Sequence, residues 1–149
     1  MKNKVANKFL ILLTAAILIS VSIFTLGCQS QTQDNQQPKE PLNLTGTWRS
    51  VNSNSEDSWQ EAEITDSAIT IYWVSNKGDT KSLYWAGSYV PPTEATKTYS
   101  WDSVNDKTKT KNSLLAAQGD TKTITYENNQ LLYEASAMGT TKTVRLERI

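Results

Sequence analysis

From Leu42 to Ile149 the chain is a succession of short alternating runs, each closed by a turn signal, and this cadence restricts it to antiparallel β-structure. The runs are rich in Val, Ile, Thr, Tyr and Trp, which suit a pleated, half-buried surface. They predict strands near 45–51, 58–65, 68–75, 80–90, 97–104, 112–118, 121–127, 130–137 and 140–148. Asn76-Lys77-Gly78-Asp79, Gly119-Asp120, Asn128-Asn129 and Met138-Gly139 supply the positive-φ positions that tight turns need. A small unit recurs, GDTK at 78–81 and 119–122 and GTTK at 139–142, at unequal spacings. It is reused hairpin chemistry rather than the period of a repeat protein. Ser113-Leu114-Leu115-Ala116-Ala117-Gln118 also reads as a helical turn, because Leu and Ala favour helix.

Hairpin after hairpin makes a meander. About eight or nine short strands must close or fold over, because open edges invite aggregation. The expectation is an all-β domain, a small barrel or a flattened sandwich. Alternation assigns Ile69, Ile71 and Trp73 to one face, Leu131, Tyr133, Ala135 and Ala137 to another, and Val144 with Leu146 to a third.

The N-terminus is of a different kind. Lys2, Lys4 and Lys8 precede an apolar run from Phe9 to Leu26, which ends in Thr25-Leu26-Gly27-Cys28. The lysines favour the cytoplasmic side while the run enters the bilayer. These residues resemble the lipobox of bacterial lipoproteins, although Leu26 stands two before the Cys and Thr25 takes the place where Leu is usual. The resemblance implies a signal peptide over 1–27, cleavage between Gly27 and Cys28, and a diacylglycerol on the Cys28 thiol. The competing reading is an uncleaved helix, since 18 apolar residues rise about 27 Å. Two acyl chains on one residue suffice for stable anchoring. Gln29 follows the cysteine, which in a Gram-negative host permits transport to the outer membrane. The long apolar segment and the Asn/Lys usage favour a Gram-positive plasma membrane instead.

Residues 28–41 carry the lipidated Cys28 and the polar tract Gln29–Pro41, too poor in apolar side chains to order itself. Those 13 residues reach roughly 20 Å as a coil and at most about 45 Å extended. The β domain then occupies 42–149.

Charge and rare residues exclude much. Of 15 basic residues three precede the cysteine, leaving 12 against 15 acidic ones, a formal charge of −3. That is not the clustered basic surface a nucleic acid requires. The sequence has one cysteine and no histidine. An intramolecular disulfide, Ser-His-Asp and Cys-His sites, and HExxH zinc chemistry are therefore ruled out. No catalytic residue, metal or cofactor is expected.

Leu44-Thr45-Gly46-Thr47-Trp48-Arg49 resembles the Gly-x-Trp opening of the lipocalin or calycin barrels. The resemblance implies that Gly46 and Trp48 close one end of a calycin-like barrel, with Arg145 or Arg148 of the last strand across the indole ring. The domain is short for that family, which implies a small or filled cavity.

The five Trp and six Tyr fall within the β domain. Neighbours such as Tyr72-Trp73 and Tyr84-Trp85 should face opposite sides of a strand. Trp59, Tyr72, Tyr84, Trp85, Tyr89 and Trp101 are candidate binding aromatics. Against that stands ordinary core and cross-strand pairing. Glu61 and Glu63, on one strand face beside Glu56, Asp57 and Asp66, read as solvated rather than as a two-acid glycosidase site. Asp102, Asn105 and Asp106 lack the Gly and spacing of a calcium loop. Lys107, Lys109 and Lys111 read as one charged face guarding an edge strand. Two functions remain open. One is a membrane-anchored protein-interaction module, as a surface accessory or an exclusion or immunity protein. The other is a calycin-like carrier of a small hydrophobic ligand or lipid.

Overall fold

Turn chemistry sets the topology. Asn128 and Asn129 take φ of 50° and 63°, a pair of left-handed residues that turns one strand directly back onto the next. Asn76, Lys77 and Gly78, a short 3-10 turn, have φ of 53°, 58° and 109° and reverse the chain likewise. The computed structural model describes residues 40–137 and 139–149. The expectations for the signal segment 1–27, for Cys28 and for the tether up to residue 39 lie outside the described residues.

Among the described residues eight antiparallel strands form one sheet: β1 (Gly46–Ser50), β2 (Trp59–Ile64), β3 (Ala68–Ser75), β4 (Thr80–Ser88), β5 (Tyr99–Val104), β6 (Thr121–Glu127), β7 (Gln130–Ala137) and β8 (Thr140–Arg148). Their order is β4-β3-β2-β1-β8-β7-β6-β5, a meander in which β1 and β8 join across the two ends of the domain. Trp48 pairs with Arg148 and Ser50 with Leu146. The sheet curls into a nearly closed barrel whose two edges, β4 and β5, approach one another. An isolated bridge links Gly87 to Asn105, Val104 N–H donates to Ser88 Oγ at 2.9 Å, and Asp106 N–H donates to Ala86 O at 2.8 Å. Gly87 is required here. A Cβ on it would lie 2.6 Å from Val104 O and 2.7 Å from Trp85 Nε1, with Ser103 Oγ closer still.

Residues 112–118 are not a strand. Ser113 Oγ donates to Leu83 O at 3.1 Å and Ala117 N–H to Tyr84 O at 2.8 Å, so the segment leans across the seam and satisfies part of the edge of β4. Lys107, Lys109 and Lys111 likewise do not lie along a strand. Lys107–Thr110 is a helical turn, α1, capped by Asp106, whose carboxylate accepts from Thr108 N–H at 3.1 Å.

The alternation of β4 is interrupted opposite β3. Ile71 pairs with Trp85 and Tyr72 with Leu83, which leaves Tyr84 as an extra residue, a β-bulge. The bulge brings both Tyr84 and Trp85 into the barrel, where they are 2% and 0% exposed. The strict alternation expected of this pair therefore fails. Trp73 packs inward against Tyr84, with ring centroids 5.3 Å apart, while Tyr72 faces outward beside Lys81.

In a meander, successive connections alternate between two ends. One end holds the chain entry at Leu42–Thr45 and the turns β2–β3, β4–β5 and β6–β7. The other holds the connections β1–β2 (51–58), β3–β4, β5–β6 and β7–β8.

Candidate functional site

The entry end is filled. Leu44 is fully buried, and Trp48 Nε1 donates to its carbonyl at 3.0 Å. Arg148 lies over the Trp48 ring, its Cζ 4.7 Å from the centroid. Its guanidinium donates to Thr45 O at 2.5 Å and Asn43 O at 2.6 Å. Gly46, at φ 128°, leaves room for that guanidinium, since a Cβ there would meet Arg148 Nη1 at 3.2 Å. Arg145 is exposed on β8 and is not the residue over Trp48. Tyr126 meets Trp48 edge-on at 6.2 Å, and Trp101 packs between Tyr89 at 5.1 Å and Tyr99 at 5.8 Å. Of the six candidate binding aromatics, Tyr84, Trp85, Tyr89 and Trp101 are thus core residues. Trp59 and Tyr72 are half-buried.

The opposite end is open. A cavity of about 310 Å³ lies under the 51–58 connection, near the lower limit for small-molecule sites. Its apolar walls are Trp59, Trp73, Ala135 and Val144, its rim is Ser and Asn, and Gln60 lines it from the barrel interior. Among the described lining residues Lys142 is the one charged side chain.

Gln60 reaches this place by strand alternation: Gln60, Ala62 and Ile64 face inward, while Glu61 and Glu63 face out. It is 2% exposed. Tyr133 Oη donates to Gln60 Oε1 in a short bond, which fixes the carboxamide with its Nε2 turned away. Among the described residues that Nε2 has no hydrogen-bond partner, and neither does the buried Nε1 of Trp59 beside it in sequence. An unmet buried donor costs about 1–3 kcal/mol, so the Gln60 amide marks the cavity wall as incomplete, while Trp59 Nε1 is on the outer face of β2.

Behind Gln60 the interior is aromatic with one cation. Lys122 Nζ donates to Glu134 O at 2.8 Å and to Tyr84 Oη at 3.2 Å. It stands 5.1, 5.4 and 5.6 Å from the ring centroids of Tyr84, Trp85 and Tyr133. Burial lowers the Lys122 pKa, against a smaller upward pull from the Glu134 charge. Burial also raises the Tyr84 hydroxyl, and it pushes the Tyr133 hydroxyl well above the usual tyrosine value.

The 51–58 connection is strapped to β8. Asn52 Nδ2 donates to Thr143 O at 2.8 Å, its Oδ1 accepts from Arg145 N–H at 3.0 Å, and Lys142 Nζ donates to Asn52 O at 2.7 Å. Outside the barrel Arg49 stacks on Trp59, its Cζ 3.6 Å from the ring centroid. Glu61 is not simply solvated: its side chain is 12% exposed and pairs with Lys81 at 2.6 Å, which raises the Lys81 pKa chiefly through that bond. Glu63 is exposed. Asp102, Asn105 and Asp106 do separate work. Asp102 accepts from Thr123, Asn105 donates to Gly119 O at 2.6 Å, and Asp106 caps α1.

Gln60 and Trp73 escaped the sequence reading as site residues. The signal was there in Gln60-Glu61-Ala62-Glu63-Ile64, where Gln stands in register with the two apolar residues. Comparison with protein-family models, with curated proteins and with solved structures finds no match for this chain.

Proposed function

We propose that this chain is a bacterial lipoprotein, anchored on the extracytoplasmic face of a membrane through a diacylglycerol on Cys28, whose barrel binds a small apolar-bodied ligand at its open end. The observation that carries the binding reading is the cavity beside the buried, half-satisfied Gln60. A barrel that served only as a scaffold would gain by filling that space and pairing that amide. The Gly46–Trp48 opening with Arg148 across the ring supports kinship with the calycin barrels. The reading is non-enzymatic, because a chain without histidine and without a facing acid pair lacks the usual acid–base groups.

Two measurements test it. An alkyne fatty acid should label the wild-type chain in cells and not Cys28→Ala; label on the variant removes the anchor reading. Trp emission of the full chain in phospholipid nanodiscs should change on titration with small hydrophobic ligands, since Trp59 and Trp73 line the cavity. A flat response across a broad panel removes the carrier.

One observation favours a second reading, a protein-interaction module. Leu114 and Leu115 are 97% and 52% exposed on the β5–β6 connection. In that case Leu114→Ser with Leu115→Ser abolishes partner capture and leaves ligand-induced Trp changes intact.

A further inference from the structure

The open-end cavity does more than admit an apolar body; its unmet group specifies a headgroup. Resting on the binding reading above, we infer that the ligand carries a carboxylate, received inward by Gln60 Nε2.

Of the buried polar atoms without partners on the lining residues, Gln60 Nε2 is the one on the inner face of β2, and it is an N–H donor; Trp59 is on the outer face, under Arg49. The Gln60 oxygen already accepts from the Tyr133 hydroxyl while Nε2 has no partner among the described residues, so the unmet group on the amide is a donor. A ligand group that accepts a hydrogen bond satisfies the free Gln60 N–H, whereas one that only donates leaves it unmet. Charge narrows the class further. Lys142 brings a positive charge to the rim, and no carboxylate is among the described lining residues. An anionic acceptor is therefore favoured over a neutral amide, and an amine is disfavoured on both counts. Trp59, Trp73, Val144 and Ala135 then enclose the rest of the molecule. At about 30 Å³ per non-hydrogen atom, the volume of one water in the liquid, the cavity holds roughly ten such atoms. That is the size of a short arylalkanoic or medium-chain acid, too small for a full-length lipid chain.

The test is calorimetric titration of the full chain in phospholipid nanodiscs, with empty nanodiscs as blank. The probes are 3-phenylpropionate, 3-phenylpropanamide and 3-phenylpropylamine, which share a body and differ in headgroup. The expected order is acid tightest, amide weaker, and amine at least about tenfold weaker than the acid, the range for a charge-assisted bond. Gln60→Leu should weaken the acid about tenfold or more and leave the amine unchanged. Lys142→Gln, on the exposed rim, should erase the preference for acid over amide and keeps the test open if Gln60→Leu does not fold. Amine binding as tight as acid, or acid binding indifferent to Gln60→Leu in a folded variant, overturns the headgroup assignment while leaving the cavity as a site. Failure of all three probes to bind the wild type overturns the site itself.

Discussion

The two ends of this barrel are built from similar residues and reach opposite outcomes. At the entry end Trp48, Trp101, Tyr89, Tyr99 and Tyr126 interlock, and Arg148 donates to two carbonyls while covering the Trp48 ring. At the other end Trp73 and Trp59 stand apart around a cavity, and the inward Gln60 amide has no partner for its Nε2 among the described residues. Aromatic content therefore says nothing of function on its own. What separates the ends is whether the rings pack on one another or stand around a cavity. Unpartnered polar atoms do not separate them, since among the described residues the buried Tyr89 hydroxyl at the filled end lacks a hydrogen-bond partner too. The entry end uses an indole N–H, a guanidinium and backbone carbonyls to close itself; the open end leaves the Gln60 donor beside a cavity.

The largest effect should come from breaking this asymmetry at the filled end. Trp48→Ala should cost about 3–5 kcal/mol, as for other buried large aromatics, whereas Trp59→Ala should cost about 1 kcal/mol. Urea midpoints of the two variants measure the difference, and equal losses would mean that the ends are not distinct. Next comes the seam. Gly87→Val drives side-chain atoms into Val104 O, Ser103 Oγ and the Trp85 indole, and should destabilise by about 3 kcal/mol. Hydrogen exchange should then open first along the edges of β4 and β5; uniform loss of protection instead would count against a local seam. Arg148→Gln removes the cover over Trp48 and the charge-assisted bonds, at about 1–2 kcal/mol. Arg145→Gln, exposed and away from that ring, should change the midpoint little, and a reversed ranking would reassign the cover.

The smallest effect is the dependence on pH. Tyr84, Tyr89 and Tyr133 have raised pKa values in the folded state, chiefly from burial, so their contribution is complete below about 10, the unfolded tyrosine value, and is lost as pH rises above it. Lys122 works in the opposite sense. Its lowered pKa is a cost at neutral pH that is relieved as pH rises towards the unfolded lysine value. Three tyrosines against one lysine predict a net fall in stability above pH 10, less steep in Tyr133→Phe. A rise over that range would show that the lysine dominates.

Most of the fold was legible because period-two alternation and turn residues are local signals. Strands expected at 58–65, 68–75, 121–127, 130–137 and 140–148 match β2, β3, β6, β7 and β8 to within a residue at each end. Two misreadings share a cause. Lys107, Lys109 and Lys111 alternate like a strand, and Leu114 to Ala117 are apolar like one, yet both lie in the connection that crosses the seam. There the cap at Asp106 and long-range bonds to Leu83 and Tyr84 decide the backbone. Neither is visible in local pattern. The bulge at Tyr84 is a third case, since only pairing with β3 reveals it. The site was less legible than the fold for the same reason. Gln60 becomes notable only when Tyr133, from β7, occupies one side of its amide and leaves the other empty.

The pairing of β1 with β8 also governs how such a chain can be made. Thr45 O receives the guanidinium of Arg148 across 103 positions of sequence, so the first strand waits without its second neighbour until the last is synthesised. The hairpins between them can form as they emerge, but the sheet becomes continuous only when β1 and β8 meet. That long loop closure puts folding in the slow range of non-local β topologies, milliseconds to seconds. Loss of even the final strand therefore leaves two exposed edges and an uncovered Trp48 rather than a smaller barrel. Until β8 arrives, the open edges of β1 and β7 are free to pair elsewhere.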